Sequence, residues 1–137
     1  MKRQGATTKG LQKRIGELGF AQVHDPRVAA KIDIPLPTLL TAVVVAMTTQ
    51  ARSLRAVERR TEQIANKDDG FGGITQRIAD NTFGKVLPRL RVGCLVACLH
   101  RLVKAEHRRG NLEPSVLPWG AIAIDGKHAG TLRWHDL

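Results

Sequence analysis

Two groups of residues have types and spacings that suit a chemical role. The first is Asp125, which directly follows an apolar run, Ala121-Ile122-Ala123-Ile124, that is typical of a strand. Burying a carboxylate beside such a strand is costly unless another group compensates its charge. Only 12 residues (137 − 125) follow Asp125, and they are rich in turn formers, so they do not encode a sheet that could hold it. We therefore expect this strand to open a second, incomplete domain.

The second group is a pair of cysteines. Cys94 and Cys98 lie four residues apart in a helical pattern, so they share one helix face. A structural zinc site would need two further ligands, and His100 and His107 do not share that face cleanly. We therefore expect free, buried thiols, which fit a reducing, cytoplasmic location.

The charge of the chain favours an anionic partner. Lys and Arg number 22 against 12 Asp and Glu, which gives a net charge of +10. A basic excess of this size is typical of nucleic-acid binding. Aromatic residues make up 4% of the chain and Tyr is absent, which disfavours stacking platforms for single strands. The longest apolar run, Leu39–Met47, is too short to span a membrane, so we expect no membrane partner. We also expect no small-molecule substrate.

The elements that must position these residues are predicted to be mainly helical. Residues 1–8 are polar and are expected to be loose, and residues 66–73 are a loop rich in Gly and Asp. Apolar periodicity and capping residues predict helices at Lys9–Leu18, at Pro37–Thr49, from the N-cap Ser53 to Ala65, and at Arg89–Arg109. The helix at Pro37–Thr49 is apolar nearly all round and should form the centre of the core.

Residues 74–88 are predicted to form a helix-turn-helix-like unit. Ile74 and Ile78 would share one face of a first short helix, and Asp80 would be the N-cap of a second one. Pro88 would then end this unit and begin the long helix that follows.

The long helix carries an apolar stripe and a basic end. The stripe consists of Val92, Leu95, Val96, Leu99, Leu102 and Val103, and Gly110 should end the helix. Its polar side and last turn hold Arg101, Lys104, Arg108 and Arg109. These cations either belong to a binding surface or form a solvated helix end that suits the helix dipole.

The order of these parts resembles the N-terminal region of the DDE-type transposases of bacterial insertion sequences, especially the H-repeat-associated group. The resemblance covers roughly residues 23–127. It is carried by Asp25-Pro26-Arg27, by the apolar helix that leads into Ala51-Arg52-Ser53-Leu54-Arg55-Ala56, by IADNTFGKVL at residues 78–87, and by Ala121-Ile122-Ala123-Ile124-Asp125-Gly126-Lys127.

The resemblance implies a mainly α fold, in which a helical DNA-binding-type region precedes the first β-strand of an incomplete RNase H-like core. The expected organisation is a basic N-terminal segment at 1–22, a helical transposase-associated domain at 23–110, a linker at 111–118 and the start of a truncated catalytic domain at 119–137.

In that family, the aspartate equivalent to Asp125 is the first of three acids that bind two Mg²⁺ or Mn²⁺ ions for phosphoryl transfer. Its two later acids lie far downstream, and this chain ends before either. Glu113 lies in a proline-flanked linker and Asp136 in a short tail, so neither replaces them. After Lys127, which we expect at the surface, the chain departs from the family pattern. We therefore expect a catalytically incomplete protein without a functional metal cofactor.

The resemblance also implies binding to double-stranded DNA at transposon ends. The expected phosphate contacts are Arg52, Arg55, Arg59, Arg60, Arg77 and Lys85. Asn81 and Thr82 would open the recognition helix and contact base edges, and the alternative is that these two only begin a helix.

Two other functions stay open at this point. The chain could be a non-enzymatic module that regulates or oligomerises with full-length transposase or with itself, using the apolar helix at 37–49 as an interface. It could also be an inactive gene remnant. A small RNA-binding protein fits the charge, but no RNA-binding motif appears in the sequence.

Overall fold

The computed structural model describes residues 2–67 and 70–112, with side chains described from Thr8 onward. Within these residues the secondary structure is helical and contains no strand, which confirms the mainly α prediction. The helices are α1 (Lys2–Leu18), α2 (Leu36–Thr48), α3 (Leu54–Ala65), α4 (Asp80–Val86) and α5 (Val92–Arg108). Short 3₁₀ turns lie at Phe20–Gln22, Ala29–Lys31, Phe71–Gly73 and Leu87–Arg89.

The chain divides into two units, Met1–Ala105 and Glu106–Leu137. In the second unit the described residues are 106–112, where α5 ends at Gly110 in a left-handed conformation (φ 75°). The Gly110 N–H donates to the His107 carbonyl at 2.9 Å, which confirms Gly110 as the helix stop. The linker at 113–118, the strand at 121–124, the RNase H-like segment at 119–137 and Asp125 all lie outside the described residues.

Helix α2 forms the centre of the core of the first unit, as predicted. Leu39, Ala42 and Ala46 are almost completely buried on α2, and Leu36 and Leu40 are buried beside them. Apolar side chains of the other four helices and of the intervening loops pack against the same core. Most of the apolar surface of α2 is therefore used inside the unit, and Met47 is 67% exposed. The alternative that this helix is partly an interface stays a prediction.

Helix α1 begins earlier than predicted. The expectation that residues 1–8 are loose is wrong, since the helix extends from Lys2 to Leu18. Lys, Arg, Gln and Ala are good helix formers, so a helix that is already fixed by Ile15 and Leu18 on the core can continue outward. Gly19 then ends the helix with φ 64°.

Helix α5 is divided between core and solvent. Cys98 is buried, and Cys94, Leu95 and Leu102 are partly buried against the core. The other edge of the predicted stripe is exposed and consists of Val92 (73% exposed), Val96 (43%), Leu99 (55%) and Val103 (44%). One helix face is therefore apolar but uncovered within the described residues.

Arg101 on α5 is a structural residue. Its Nε donates to the Leu18 carbonyl at 3.0 Å, its Nη2 to the Gly19 carbonyl at 3.3 Å, and its Nη1 to Gln22 Oε1 at 2.9 Å. The bond to Leu18 satisfies a carbonyl at the end of α1, and the Gly19 carbonyl also accepts the Gln22 N–H at 3.0 Å. Arg101 therefore holds the end of α1, a role that neither of the two alternatives for the basic residues of α5 included.

Candidate nucleic-acid interface

The arginines predicted on α3 lie on an exposed surface. Ser53 is the N-cap, and its Oγ accepts a hydrogen bond from the Ala56 N–H at 3.1 Å, as the sequence predicted. Arg52, Arg55 and Arg59 are exposed and have no hydrogen-bond or ion-pair partner within the described residues. Arg60 is half-buried, and its Nη1 donates to Gln63 Oε1 at 2.9 Å.

A first groove of about 440 Å³ lies where α2 passes into α3. Three of the predicted arginines line it, namely Arg52, Arg59 and Arg60. The rest of its lining is uncharged and consists of Thr49, Gln50, Ala51, Ser53, Ala56 and Gln63. Because no carboxylate stands in this lining among the described residues, the groove is a site of positive potential.

The wall of the first groove contains a strained residue. Gln50 has φ 62°, a left-handed conformation that residues other than glycine rarely adopt. It follows the last turn of α2, where the Gln50 N–H donates to the Met47 carbonyl at 3.0 Å and the Ala51 N–H to the Ala46 carbonyl at 2.9 Å. This pair of bonds is a Schellman motif, and the left-handed position in it, here Gln50, is usually a glycine. The motif turns the chain sharply, so that Arg52 follows α2 directly.

Arg77 has a structural partner that the sequence did not indicate. It forms an ion pair with Glu58 of α3, with Nε donating to Oε1 at 2.6 Å. The second oxygen of Glu58 accepts the Asp80 backbone N–H at 3.0 Å. The pKa of Glu58 is lowered mainly by the hydrogen bond from the Asp80 N–H and next by the hydrogen bond from Arg77. Arg77 is therefore positioned to fix the start of α4.

The first helix of the predicted helix-turn-helix-like unit is absent. Residues 74–79 are not helical, so a two-helix unit at 74–88 is wrong, although its second helix exists as α4. The N-cap of α4 is Ala79, and Asp80, which we expected there, is the first helical residue. Glu58 accepts the Asp80 N–H, which is one of the first-turn donors without an intrahelical partner. Ile74 and Ile78 are both buried in this extended segment.

The DNA-binding residues predicted on α4 do not line the first groove, which contains Arg52, Arg59 and Arg60. Asn81 and Lys85 are exposed and Thr82 is half-buried in the first turns of the helix. Thr82 and Lys85 line a second groove of about 420 Å³, and Asn81 lines neither groove. Arg55 and Arg77 also line neither of them. Of the eight predicted DNA-binding residues, three therefore line the first groove, two line the second groove and three line neither.

The second groove contains cations that sequence reasoning missed. Arg27, Lys31 and Arg89 line it together with Lys85, and Asp33 is the single carboxylate among the described lining residues. The remaining lining is Val28, Ile34, Thr82 and Val86. The segment Asp25-Pro26-Arg27 was part of the resemblance, but nothing in the sequence indicated that Arg27 would line a groove with residues of α4.

Cys98 is buried, Cys94 is half-buried, and both are free. Over residues 2–67 and 70–112, no set of three or more His, Cys, Asp or Glu side chains is grouped to hold a metal ion. In the same ranges, no helix has the length and hydropathy needed to cross a bilayer.

Comparison of this chain with protein-family models, with curated proteins and with solved structures gave no match. The relation to DDE-type transposases therefore stays a prediction that depends on the sequence segments given above.

Proposed function

We propose that this chain is a transposase-related protein that binds double-stranded DNA through the α3 arginines and does not cut it. The observation that supports this most directly is the first groove, which Arg52, Arg59 and Arg60 line without a carboxylate among the described residues. Arginines that are not neutralised by neighbouring acids release counterions from DNA when they contact phosphates. Arg55 and Arg59 lie one helical turn apart, about 6 Å along the axis, and extend the cationic row along α3.

A salt titration of DNA binding tests this proposal. Fluorescence anisotropy with a labelled duplex carrying an inverted-repeat end would be compared between the parent chain and the Arg52→Ala/Arg59→Ala variant. Each lost phosphate contact lowers the slope of log K against log salt by about 0.9, so the double variant should lose about 1.8. Its affinity at low salt should fall at least about tenfold.

The matched control removes two cations outside this surface. Lys9 and Lys13 are exposed on α1, so the Lys9→Ala/Lys13→Ala variant changes the net charge by the same amount. Equal losses in both double variants would show that only total charge matters and would overturn the assignment to α3. Equal affinity for the inverted repeat and a scrambled duplex at every salt concentration would remove the claim of specificity for transposon ends.

Absence of cleavage is the second part of the proposal. Of the three acids that the family uses, residues 1–137 contain the first, Asp125, and one carboxylate cannot hold two divalent ions. We expect no Mg²⁺- or Mn²⁺-dependent cleavage of a supercoiled plasmid, and unchanged duplex binding by Asp125→Asn. Metal-dependent cleavage that Asp125→Asn abolishes would contradict it.

A second candidate function, self-association, is favoured by α5. The exposed residues Val92, Val96, Leu99 and Val103 are spaced by four, three and four residues, which is the spacing of a coiled-coil seam. Val at the a positions 96 and 103 with Leu99 at d is typical of two-stranded packing. Sedimentation of the full chain tests this, since a monomer at all concentrations up to about 100 μM excludes a dimer of useful affinity.

A further inference from the structure

The second groove combines an apolar lining with a cationic one. Val28, Ile34 and Val86 supply the apolar atoms, and the volume of about 420 Å³ lies in the range of small-ligand sites. Lys31 and Lys85 are exposed and have no hydrogen-bond partner within the described residues. A ligand that matches both properties must carry an anionic group and a less polar body.

Arg27 is held in place before any ligand binds. Its side chain is 11% exposed, and its Nε and Nη2 donate to the two oxygens of Asp25 at 2.9 and 2.7 Å. Nη2 also donates to the Ile34 carbonyl at 2.9 Å. The Nη1 N–H groups have no acceptor in the described part of the chain, and they are not sealed from solvent. They are therefore available to a ligand in the groove, with little loss of side-chain entropy.

Arg89 is anchored on the opposite side of the same loop. Its Nη2 donates to the Pro26 carbonyl at 2.9 Å, which joins the turn after α4 to the Asp25–Arg27 loop. The bond uses one of the five N–H donors of the guanidinium and leaves its charge unneutralised. The groove therefore has two arginines in fixed positions and two lysines that can adapt.

We propose that the second groove binds a nucleoside phosphate. The phosphate would lie among Lys31, Lys85, Arg89 and the Nη1 group of Arg27, because charge-assisted hydrogen bonds to phosphate are the strongest contacts available there. The sugar and base would cover the apolar lining. Thr82 Oγ1 and the Asp33 carboxylate offer acceptors for hydroxyl or amino groups.

A free nucleotide and a nucleotide within a nucleic-acid strand would make the same contacts in this groove, through the phosphate, the sugar and the base. No aromatic side chain lines the groove among the described residues, so stacking does not contribute. We therefore expect affinity in the range of about 0.1–1 mM for a free mononucleotide. This departs from our expectation that small molecules are not partners, and it does not require the α3 arginines to bind DNA.

Isothermal titration of the full chain with AMP, adenosine and inorganic phosphate tests the proposal. AMP should bind, whereas adenosine and phosphate should each bind at least tenfold more weakly, because each fills only part of the groove. The Lys31→Ala/Lys85→Ala variant should bind AMP at least tenfold more weakly than the parent. Both lysines are exposed, so this variant should retain the helical circular dichroism spectrum. The Lys9→Ala/Lys13→Ala and Arg52→Ala/Arg59→Ala variants should bind AMP like the parent.

The outcomes separate the two sources and the two proposals. If AMP does not bind at about 10 mM, a strand source still predicts that Lys31→Ala/Lys85→Ala weakens binding of a labelled single-stranded hexamer, and that the control does not. Phosphate binding as tightly as AMP, or unchanged nucleotide and hexamer binding in the lysine variant, overturns the site. Loss of duplex binding alone in Arg52→Ala/Arg59→Ala bears on the proposed function and leaves this groove unaffected.

Discussion

Thr61 is the residue whose substitution most directly tests how α4 is positioned. It is 1% exposed on α3, and its Oγ1 accepts the Ile78 backbone N–H at 2.9 Å while donating to the Glu58 carbonyl at 2.7 Å. Ile78 is also 1% exposed, so water does not reach this N–H group. Replacing Thr61 by Val keeps the shape of the side chain but removes both hydrogen bonds.

The expected loss of stability follows from the two bonds. The Glu58 carbonyl lies inside α3 and keeps its helical partner, so losing the hydroxyl donor costs little there. The Ile78 N–H keeps no partner, and a buried unsatisfied donor costs about 1–3 kcal/mol. Thr61→Val should therefore lower the free energy of unfolding by about 2 kcal/mol. This corresponds to about a 30-fold larger unfolded fraction.

Urea unfolding followed by circular dichroism at 222 nm measures this change. With an m value of about 2 kcal/mol/M, the midpoint should fall by about 1 M without a change of slope. The matched control is Thr61→Ser, which keeps the hydroxyl and loses one methyl group, at a cost of about 1 kcal/mol. If Thr61→Val is as stable as the parent, or more stable than Thr61→Ser, the hydrogen bond to Ile78 does not hold the segment before α4.

Three further predictions use the same urea assay. Gln50→Gly should raise the unfolding free energy by about 1 kcal/mol, because glycine adopts φ 62° without strain, and a decrease would show that the Gln50 side chain stabilises the turn. Gly72→Ala should lower it by about 3 kcal/mol, since φ is +65° and an added Cβ would lie 2.5 Å from Thr41 Cγ2. Gly70→Ala is the control, with φ +54° and no atom within 4 Å, and should cost about 1 kcal/mol, so equal losses would exclude the close approach to Thr41. In the folded state, the Asp80 N–H and Arg77 lower the pKa of Glu58. The stabilisation that ionised Glu58 gives to the fold is therefore fully present above the unfolded glutamate pKa of about 4.3. It is lost as the pH falls through the lower pKa of the folded state. Glu58→Gln should accordingly reduce the fall in stability between about pH 5 and about pH 3, and an unchanged acid profile would contradict this role.

The helices that the sequence predicted correctly are those fixed by local chemistry. Helix α3 begins after Ser53 because the side chain caps the helix, and it ends at Ala65 as predicted. Helix α2 begins and ends one residue earlier than predicted, with Pro37 in its first turn and Thr49 as the C-cap. Helix α5 begins at Val92 instead of Arg89, because Pro88 and Arg89 lie in a separate 3₁₀ turn.

The segment at 74–79 could not be predicted from local patterns. A spacing of four residues between Ile74 and Ile78 fits one face of a helix, but two apolar residues in an extended chain have that spacing as well. What decides the conformation is the bond from the Ile78 N–H to Thr61, which lies 17 residues earlier. A tertiary contact of this kind has no signature in a local window.

The candidate site was predictable only where it depends on the pattern of a single helix. Arg59 and Arg60 of α3 follow from the amphipathic pattern of one helix, and they line one groove together with Arg52, which precedes the helix. The second groove requires that the loop at 27–34 meets α4, and sequence periodicity does not report contacts between a loop and a helix that begins 46 residues (80 − 34) after it. Arg77 was grouped with the phosphate-contacting residues because its charge is visible in the sequence, whereas its ion pair with Glu58 is not. Its contact with DNA stays a prediction.

The chain has a net charge of +10, and the positions of the carboxylates determine which of its cations are neutralised. Among the described residues, Asp25 and Glu58 each neutralise one arginine and also accept a backbone N–H, from Arg27 and Asp80 respectively. These acids therefore fix backbone beside the second groove and at the start of α4. The lysines of that groove, Arg52 and Arg59 form no ion pair in the described part of the chain, whereas the charge of Arg55 acts on Glu58. A count of charges treats all cations alike. The structure separates the cations that hold the fold from those without an ion-pair partner. Both proposals use the second group, and the nucleotide proposal also uses Arg27 and Arg89, which the fold holds in place.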